Sequence, residues 1–185
     1  MAKIAQLYKG KHEEVDIEFS RVWAMPNAWT FSIHPISVLI DKYVGDGKGW
    51  IDPFAGKNSP AEITNDHNPE READYHMEAL DFANMLDGQY DGVLYDPPYS
   101  FTQIAEHYRV MGIKPKREQI DMRAYESVKS ALCEKIKPGG YAISFGWNTN
   151  GFGKARGFRI VEIMCVAHGG SKNDTIVTVE RKIEQ

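Results

Sequence analysis

The sequence has only two cysteines, Cys133 and Cys165, which lie far apart and form no Cys-x-x-Cys pair. This scarcity argues against a disulfide framework or a zinc site and favours a reducing compartment, so we expect a cytoplasmic protein. No run approaches the roughly 18 consecutive apolar residues of a membrane-spanning helix. Residues 1–20 lack the apolar centre of a signal peptide, and we therefore expect no membrane partner.

An excess of positive charge is also lacking, since the formal net charge is -4. A dedicated nucleic-acid binder is often basic, so the total charge gives no support to such a role. Two local basic groups remain, and each is either a solvated face or a set of phosphate contacts. The first is Arg109, Lys114, Lys116, Arg117, Arg123 and Lys129, and the second is Lys154, Arg156 and Arg159. The histidines show no ligand spacing, so we expect no metal.

The 185 residues are 42% hydrophobic, which is enough for one core, and we expect a single domain over residues 1–185. Short apolar runs that predict buried strands alternate with segments of helical spacing. The predicted strands are 50–54, 63–66, 91–95, 141–147, 159–167 and 175–179, with 75–77 as a further candidate. The predicted helices are a short one through 36–40 that ends near Gly45, one at 80–86, and one at 119–136 that stops at Lys137-Pro138-Gly139-Gly140.

This alternation is typical of an α/β layered fold with a mostly parallel sheet. The Gly-rich linker 169–174 predicts a final hairpin, and hence one antiparallel strand. With the candidate at 75–77 included, the sequence predicts seven strands with helices on both faces. Ligands of such sheets bind beyond the carboxyl ends of the strands, where the loops after Ile51 and Tyr95 fall.

The loop after the predicted strand 91–95 reads Asp96-Pro97-Pro98-Tyr99. The prolines fix φ and end the strand, which leaves the Pro97 carbonyl free beside the Asp96 carboxylate. These two acceptors match the two hydrogens of an amino group, and Tyr99 offers a flat face for stacking a base. Accepting both hydrogens favours the tetrahedral amine, whose lone pair is available for attack. Taken alone, the tetrapeptide is equally compatible with an ordinary turn at a strand end.

The sequence VLYDPPYS resembles motif IV of the S-adenosylmethionine-dependent amino-methyltransferases, chiefly the DNA N6-adenine methyltransferases. Further segments resemble other motifs of that family in the same order, over about residues 26–180. The resemblance implies a Rossmann-like class I methyltransferase fold. The segments are WTFSIHPI (motif X), WIDPFAG (motif I), ITNDHNP (second strand), HMEALDFAN (third motif) and IKPGGYAISFGW (fifth strand).

The resemblance also implies S-adenosylmethionine as cofactor and assigns roles to residues. Asp66 stands in the place of the acid that holds the ribose hydroxyls, and Glu78 in that of the acid near the cofactor's adenine. Asp52 either meets the cofactor's ammonium group or caps its loop, and Phe54 packs on the cofactor or on the core. The expected cofactor-binding residues are Trp29, Phe31, Asp52, Pro53, Phe54, Gly56, Asp66, Asn68, Glu78 and Ala79. The expected catalytic residues are Asp96, Pro97, Pro98 and Tyr99, and the expected substrate-binding residues are Tyr99, Phe101 and Asn148.

One loop departs from the family's pattern. Motif I usually continues with a second glycine, whereas this chain reads Gly56-Lys57-Asn58-Ser59-Pro60. Asn58 can adopt a positive φ, although less readily than glycine. The changed loop therefore predicts altered or weaker cofactor binding. It also motivates the hypothesis of a catalytically impaired cofactor-binding or interaction protein.

The substrate follows from the first residue of the tetrapeptide. Within the family, Asp at this position is usual in DNA N6-adenine enzymes, so Asp96 favours adenine in DNA. The alternative is an RNA base, because some RNA enzymes also carry Asp. The separate target-recognition region that is usual in the DNA enzymes is not present. We therefore expect low or short sequence specificity, a homodimer, or a separate specificity partner.

Overall fold

The computed structural model describes residues 16–112, 114, 123–170 and 172–184. The strands are β1 (Glu18–Trp23), β2 (Trp50–Asp52), β3 (Ile63–Thr64), β4 (Tyr90–Tyr95), β5 (Ile136–Gly146), β6 (Phe158–Ala167) and β7 (Thr175–Lys182). The helices are α1 (His34–Val44), α2 (Ala79–Met85), α3 (Phe101–Val110) and α4 (Arg123–Lys135), with 3₁₀ turns at Thr30–Ser32 and Lys154–Arg156.

The seven strands form one sheet in the order β1-β6-β7-β5-β4-β2-β3. Only β7 is antiparallel to its neighbours, and the remaining pairs of this sheet are parallel. Gly169 and Gly170 both have positive φ, which lets the chain reverse between β6 and β7. The predicted Rossmann-like α/β fold, with its mostly parallel sheet and final hairpin, is confirmed.

Helices cover both faces of the sheet, as predicted. Successive residues of a strand point to opposite faces, so adjacent apolar residues feed separate clusters. Trp50 and Leu94 pack in a cluster with α1. Their neighbours Ile51 and Val93 pack in a second cluster with α2 and α4. Two cores therefore hold the central strands β2 and β4 in place, and fix the position of the loops that follow them.

Helix α1 forms where the sequence predicts it. Pro35 lies in its first turn, where a missing N–H costs nothing. The helix ends before Gly45, whose φ of 59° suits a residue without a side chain. Its buried residues recur at helical spacing and form one stripe: Ile36, Leu39, Ile40 and Val44.

The expected strand at 75–77 is wrong. Tyr75 forms only an isolated bridge to Asn65. The N–H of Met77 donates instead to the side-chain Oδ1 of Asn65 at 3.0 Å, so a side chain ends the pairing there. The seventh strand is β1, which lies at the opposite edge of the sheet and pairs in parallel with β6.

The boundary between α4 and β5 also differs from the prediction. The helix ends at Lys135, and β5 begins at Ile136, so the segment 137–140 belongs to the strand. The pairing of β5 with β4 shifts register between Tyr90 and Gly92, which accommodates this Pro-Gly segment. The predicted helix residues 119–122 lie outside the described residues. Within the described ranges, no helix is both long and apolar enough to cross a membrane.

Candidate active site

A cavity of about 650 Å³ opens beyond the carboxyl ends of β2, β3 and β4. This is the edge at which parallel α/β sheets bind ligands. Its walls come from the loops after these strands, from the 3₁₀ turn before α1, and from α3 and α4. Twelve of the predicted site residues line it, namely Trp29, Phe31, Pro53, Phe54, Gly56, Asp66, Glu78, Ala79, Asp96, Pro97, Pro98 and Tyr99.

The Asp96–Tyr99 loop is fixed from two sides. The Tyr99 hydroxyl donates to Oδ1 of Asp96, and the Thr30 side chain lies close enough to both residues to lower their pKa. The Tyr99 backbone N–H donates to Oε1 of Gln103 at 2.6 Å. The 3₁₀ turn and the first turn of α3 therefore hold the loop between them.

The electrostatics of this loop keep one donor and one acceptor in contact. Burial raises the pKa of the Asp96 carboxyl, against the hydrogen bonds from Tyr99 and Thr30, which lower it. Burial raises the pKa of Tyr99 as well, and the neighbouring Asp96 charge adds to this effect. Tyr99 therefore stays neutral and donates, while Asp96 accepts.

Asp66 orders the second wall of the cavity. Its Oδ2 accepts from the Gly56 N–H at 3.0 Å, and its Oδ1 accepts from the Asn68 N–H at 2.8 Å. A carboxylate oxygen can accept more than one hydrogen bond, so Asp66 retains capacity for a ligand hydroxyl. Asn68, which was expected to bind the cofactor, does not line the cavity. It is buried, and its Oδ1 accepts from the Glu70 N–H at 2.9 Å.

Asp52 lies beneath the cavity and does not line it. The side chain is fully buried, and its two oxygens accept from the Phe54 N–H at 2.9 Å and from Ser59 Oγ at 2.6 Å. Burial raises its pKa to about 7, and the charges of Asp96 and Asp66 add to this effect. Of the two sequence-based alternatives, this geometry favours the capping of the loop.

The atypical loop 56–60 has a defined conformation. Asn58 has a φ of 66°, and it is the one residue other than glycine with a positive φ in the described part of the chain. Its Nδ2 donates to Ser32 Oγ at 3.2 Å, while Ser59 is tied to Asp52. Asn58 thus takes the left-handed conformation that glycine adopts readily, and side-chain contacts hold the loop on both sides.

Phe54 and Glu78 connect the cavity to the later helices. The Phe54 ring lines the cavity and packs edge-on to Tyr95, with centroids 5.4 Å apart, so it serves both the core and the cavity. The Tyr108 hydroxyl donates to Oε1 of Glu78 at 3.0 Å. His67 Nε2 lies 3.7 Å from the same oxygen. The hydrogen bond from Tyr108 to Glu78 holds α3 against the loop that precedes α2.

Helix α3 is the part of the site that the sequence-based reasoning missed. With α4 it supplies cavity-lining residues that were not expected: Gln103, Ile104, His107, Tyr108, Tyr125 and Val128. The sequence carried a signal for this helix, because a serine followed three residues later by a glutamine marks a helix start. In the structure, the Ser100 side chain accepts from the Gln103 N–H. Ile104 and Tyr108 follow with a spacing of four and are both buried.

Two expected substrate residues lie away from the cavity walls. Phe101 is 60% exposed at the start of α3. The Oδ1 of Asn148 accepts from the Asn150 N–H at 2.9 Å and stabilises a turn. The neighbouring Trp147 is closer to the Asp96–Tyr99 loop, with its ring centroid 5.7 Å from that of Tyr99. Trp147 is 44% exposed, so part of its ring is accessible beside the loop.

Metal-ligating side chains do not cluster in the described residues, where no group of three or more could hold an ion. Both cysteines are free thiols.

No protein-family profile and no curated protein matches the chain. Solved structures share its fold. TrmN from Thermus thermophilus is 15% identical, with a TM-score of 0.55, over 82% of this chain and 49% of TrmN. The chain thus spans about half the length of TrmN. A Burkholderia thailandensis 1,6-didemethyltoxoflavin N-methyltransferase, solved with S-adenosylhomocysteine, is 13% identical, with a TM-score of 0.54, over 81% of this chain and 77% of its own. The yhhF protein of Escherichia coli, described as a methyltransferase, is 9% identical, with a TM-score of 0.54, over 87% of this chain and 91% of its own.

Proposed function

We propose that the chain is an S-adenosylmethionine-dependent methyltransferase that acts on an exocyclic amino group of a nucleic-acid base, with N6 of adenine in DNA as the leading target. The observation that carries this proposal is that Asp96 and Tyr99 line the same cavity as Asp66 and Glu78. One wall offers acceptors for an amino group. The other offers acidic groups for the hydroxyls and the adenine of the cofactor.

The residues present fit this cofactor. Asp66 is placed to accept hydrogen bonds from ribose hydroxyls, as acids at this position do in dinucleotide-binding folds. Gly56, which has no side chain, would let the backbone approach the ligand closely, and the ring of Trp29 lies beside it. The volume of about 650 Å³ lies within the range of roughly 300–1,000 Å³ that is usual for ligand sites. The S-adenosylhomocysteine in the Burkholderia enzyme of the same fold supports the proposal.

The bound cofactor supplies an electrophilic methyl group on its sulfonium. Asp96 and the Pro97 carbonyl would accept the two hydrogens of the substrate amine, which makes the nitrogen lone pair available for attack. A carboxylate oxygen of Asp96 would take up the proton that the methylated nitrogen releases. Tyr99 holds the base by stacking on its ring.

The choice of DNA adenine rests on the Asp that opens the tetrapeptide, together with the resemblance to the DNA N6-adenine enzymes. A base in a duplex must leave the stack to reach such a loop, which costs a few kcal/mol. A second candidate is an RNA base. The described residues between β4 and β5 form only α3 and α4, and single-stranded bases need less recognition apparatus.

Nucleoside mass spectrometry tests the function. The protein is incubated with labelled S-adenosylmethionine and either unmethylated DNA or RNA, and the digested nucleosides are analysed. Label in N6-methyl-2′-deoxyadenosine from DNA supports the leading proposal, and label in RNA nucleosides alone supports the second. The Asp96→Ala variant serves as the control, since it should lose at least a hundredfold in rate while still binding the cofactor. Calorimetry that shows no cofactor binding to the wild type would contradict both candidates and leave an interaction protein.

A further inference from the structure

Two cations share the indole ring of Trp29 at the mouth of the cavity. The Lys57 Nζ lies 5.9 Å from the ring centroid, and the Arg71 Cζ lies 4.9 Å from it. Both distances are within the range of a cation–π interaction. Trp29 immediately precedes Thr30, and both line the same cavity as Asp96. The two cations are therefore held close to the catalytic loop.

In the part of the chain that the structure describes, no carboxylate lies within ion-pair distance of Lys57 or Arg71. Other basic residues behave differently, since Arg109, Lys129 and Arg156 each pair with a glutamate. Two like charges on one ring repel each other, and an anion between them would relieve this repulsion.

Arg71 lies outside the cavity in an adjoining groove. The groove has a volume of about 480 Å³ and shares Gln103 and His107 with the cavity. It runs between the loop at 68–71 and helix α3. Lys57 lines the cavity itself. An anion that contacts both cations would therefore lie at the boundary between the cavity and the groove.

The chemistry of this position favours a phosphate over the carboxylate of the cofactor. S-adenosylmethionine carries a sulfonium and an ammonium against one carboxylate, so two further cations beside it would be unfavourable overall. A nucleic-acid strand carries one negative charge per nucleotide. The guanidinium of Arg71 can bind a phosphate with two parallel hydrogen bonds, and Lys57 adds a point charge.

We propose that Lys57 and Arg71 bind a backbone phosphate next to the target base. The substrate is then a base within a polynucleotide strand, and not a free base or nucleoside. This inference rests on the proposed function for the chemistry at Asp96. It adds the phosphate site, which the groove beside Trp29 supplies, and gives a role to Lys57 of the atypical loop.

The test compares Lys57→Gln, Arg71→Gln and the double variant with the wild type. The probes are a fluorescent adenine-containing DNA oligonucleotide and the RNA of the same sequence, both single-stranded. Fluorescence anisotropy gives their affinity as a function of salt, and calorimetry gives the affinity for S-adenosylmethionine. Lys48→Gln is the matched control, because it removes one positive charge from an exposed lysine that pairs with Asp46 outside the cavity.

Each single variant should weaken oligonucleotide binding about tenfold, the scale of one charge-assisted hydrogen bond. It should also reduce the slope of log K against log salt by about 0.7, the value for one phosphate contact on a single strand. The cofactor affinity should stay at the wild-type value, and Lys48→Gln should change neither quantity. The probe that loses more affinity identifies whether the phosphate belongs to DNA or RNA.

Two results would overturn the proposal. In the first, the variants lose affinity for S-adenosylmethionine while oligonucleotide binding is unchanged, which assigns the cations to the carboxylate of the cofactor. In the second, oligonucleotide binding and its salt slope are unchanged in the double variant. Failure of the proposed function gives a distinct result, in which the variants weaken oligonucleotide binding as expected but the wild type transfers no methyl group.

Discussion

The hydroxyl of Tyr99 donates a hydrogen bond to the carboxylate of Asp96, three residues earlier in the same loop. In the proposed reaction this carboxylate also accepts from the substrate amine. The tyrosine therefore occupies one acceptor position of the group on which the chemistry depends. It orients the carboxylate and, by donating to it, lowers the Asp96 pKa against the effect of burial.

Replacing Tyr99 with phenylalanine separates the hydroxyl from the ring. We expect Tyr99→Phe to retain transfer, because the stacking face remains. The Asp96 pKa should rise when the hydrogen bond is lost. The acidic limb of the pH profile of kcat should therefore move to higher pH. Methyl incorporation measured from pH 4 to 9 checks this. Tyr99→Ala is the matched variant, and it should also raise KM for the oligonucleotide. An acidic limb at the wild-type position in Tyr99→Phe would show that this hydrogen bond does not tune the reaction.

Asp66 is expected to control cofactor affinity. The Asp66→Ala change removes the acceptor for the ribose hydroxyls and releases the Gly56 N–H that Asp66 holds. The Kd for S-adenosylmethionine, measured by calorimetry, should rise at least about tenfold. Asp74→Ala is a suitable control, since Asp74 accepts from Thr64 outside the cavity. Equal affinities of the two variants would refute the assignment of Asp66 to the cofactor.

The buried Asp52 should make stability depend on pH. Its pKa is about 7 in the folded chain, against a value near 4 in the unfolded chain. Between these values the folded state holds a proton that the unfolded state has released, so stability falls as pH rises from about 4 to 7. Three pKa units correspond to a loss on the order of 4 kcal/mol.

Denaturant unfolding at several pH values tests this expectation. Asp52→Asn keeps an acceptor for the Phe54 N–H and removes the titration, so its stability curve should be flatter over this range. At pH 8 the variant should be the more stable protein. Asp46→Asn, at an exposed position, should keep the slope of the wild type. The prediction fails if Asp52→Asn keeps that slope as well.

Asn58 tests whether the atypical loop needs its left-handed backbone. Asn58→Ala places an ordinary side chain at a φ of 66° and should lower the free energy of unfolding by roughly 1–2 kcal/mol. Asn58→Gly removes the same hydrogen bond to Ser32 but accepts this φ without strain, so it should be the more stable of the two. Chemical denaturation of both variants gives the comparison. Equal stabilities would mean that the backbone conformation is not what selects asparagine here.

The position of the Asp96–Tyr99 loop at the cavity could be predicted from the sequence because its signals are local. Pro97 and Pro98 must end a strand, and ligands bind where parallel strands end. Strand β1 could not be predicted in this way. Phe19 and Trp23 are exposed in it, so it lacks the buried apolar run that marks an interior strand. Its position depends on pairing with β6, which lies more than a hundred residues later.

The direction in which side chains point could not be predicted from the sequence either. Asp52 and Asp66 are both acids at strand ends, yet one points beneath the loop and the other into the cavity. The sequence gives no rule for that choice, which depends on how each loop closes. The same holds for Trp147 and Asn148, adjacent residues of which only the tryptophan packs edge-on against Tyr99.

The strand order has a consequence for synthesis on the ribosome. Strand β7 is the last of the seven in the chain, but it lies between β5 and β6 and joins β1-β6 to the other four strands. Strands β5, β4, β2 and β3, of which the last three end at the cavity, are neighbours that can associate as soon as they emerge. The pair β1-β6 must then wait for β7, which is made at roughly 5–20 residues per second. A nascent chain paused before β7 would thus expose two unpaired sheet edges, and chaperones would be needed most at that stage of translation.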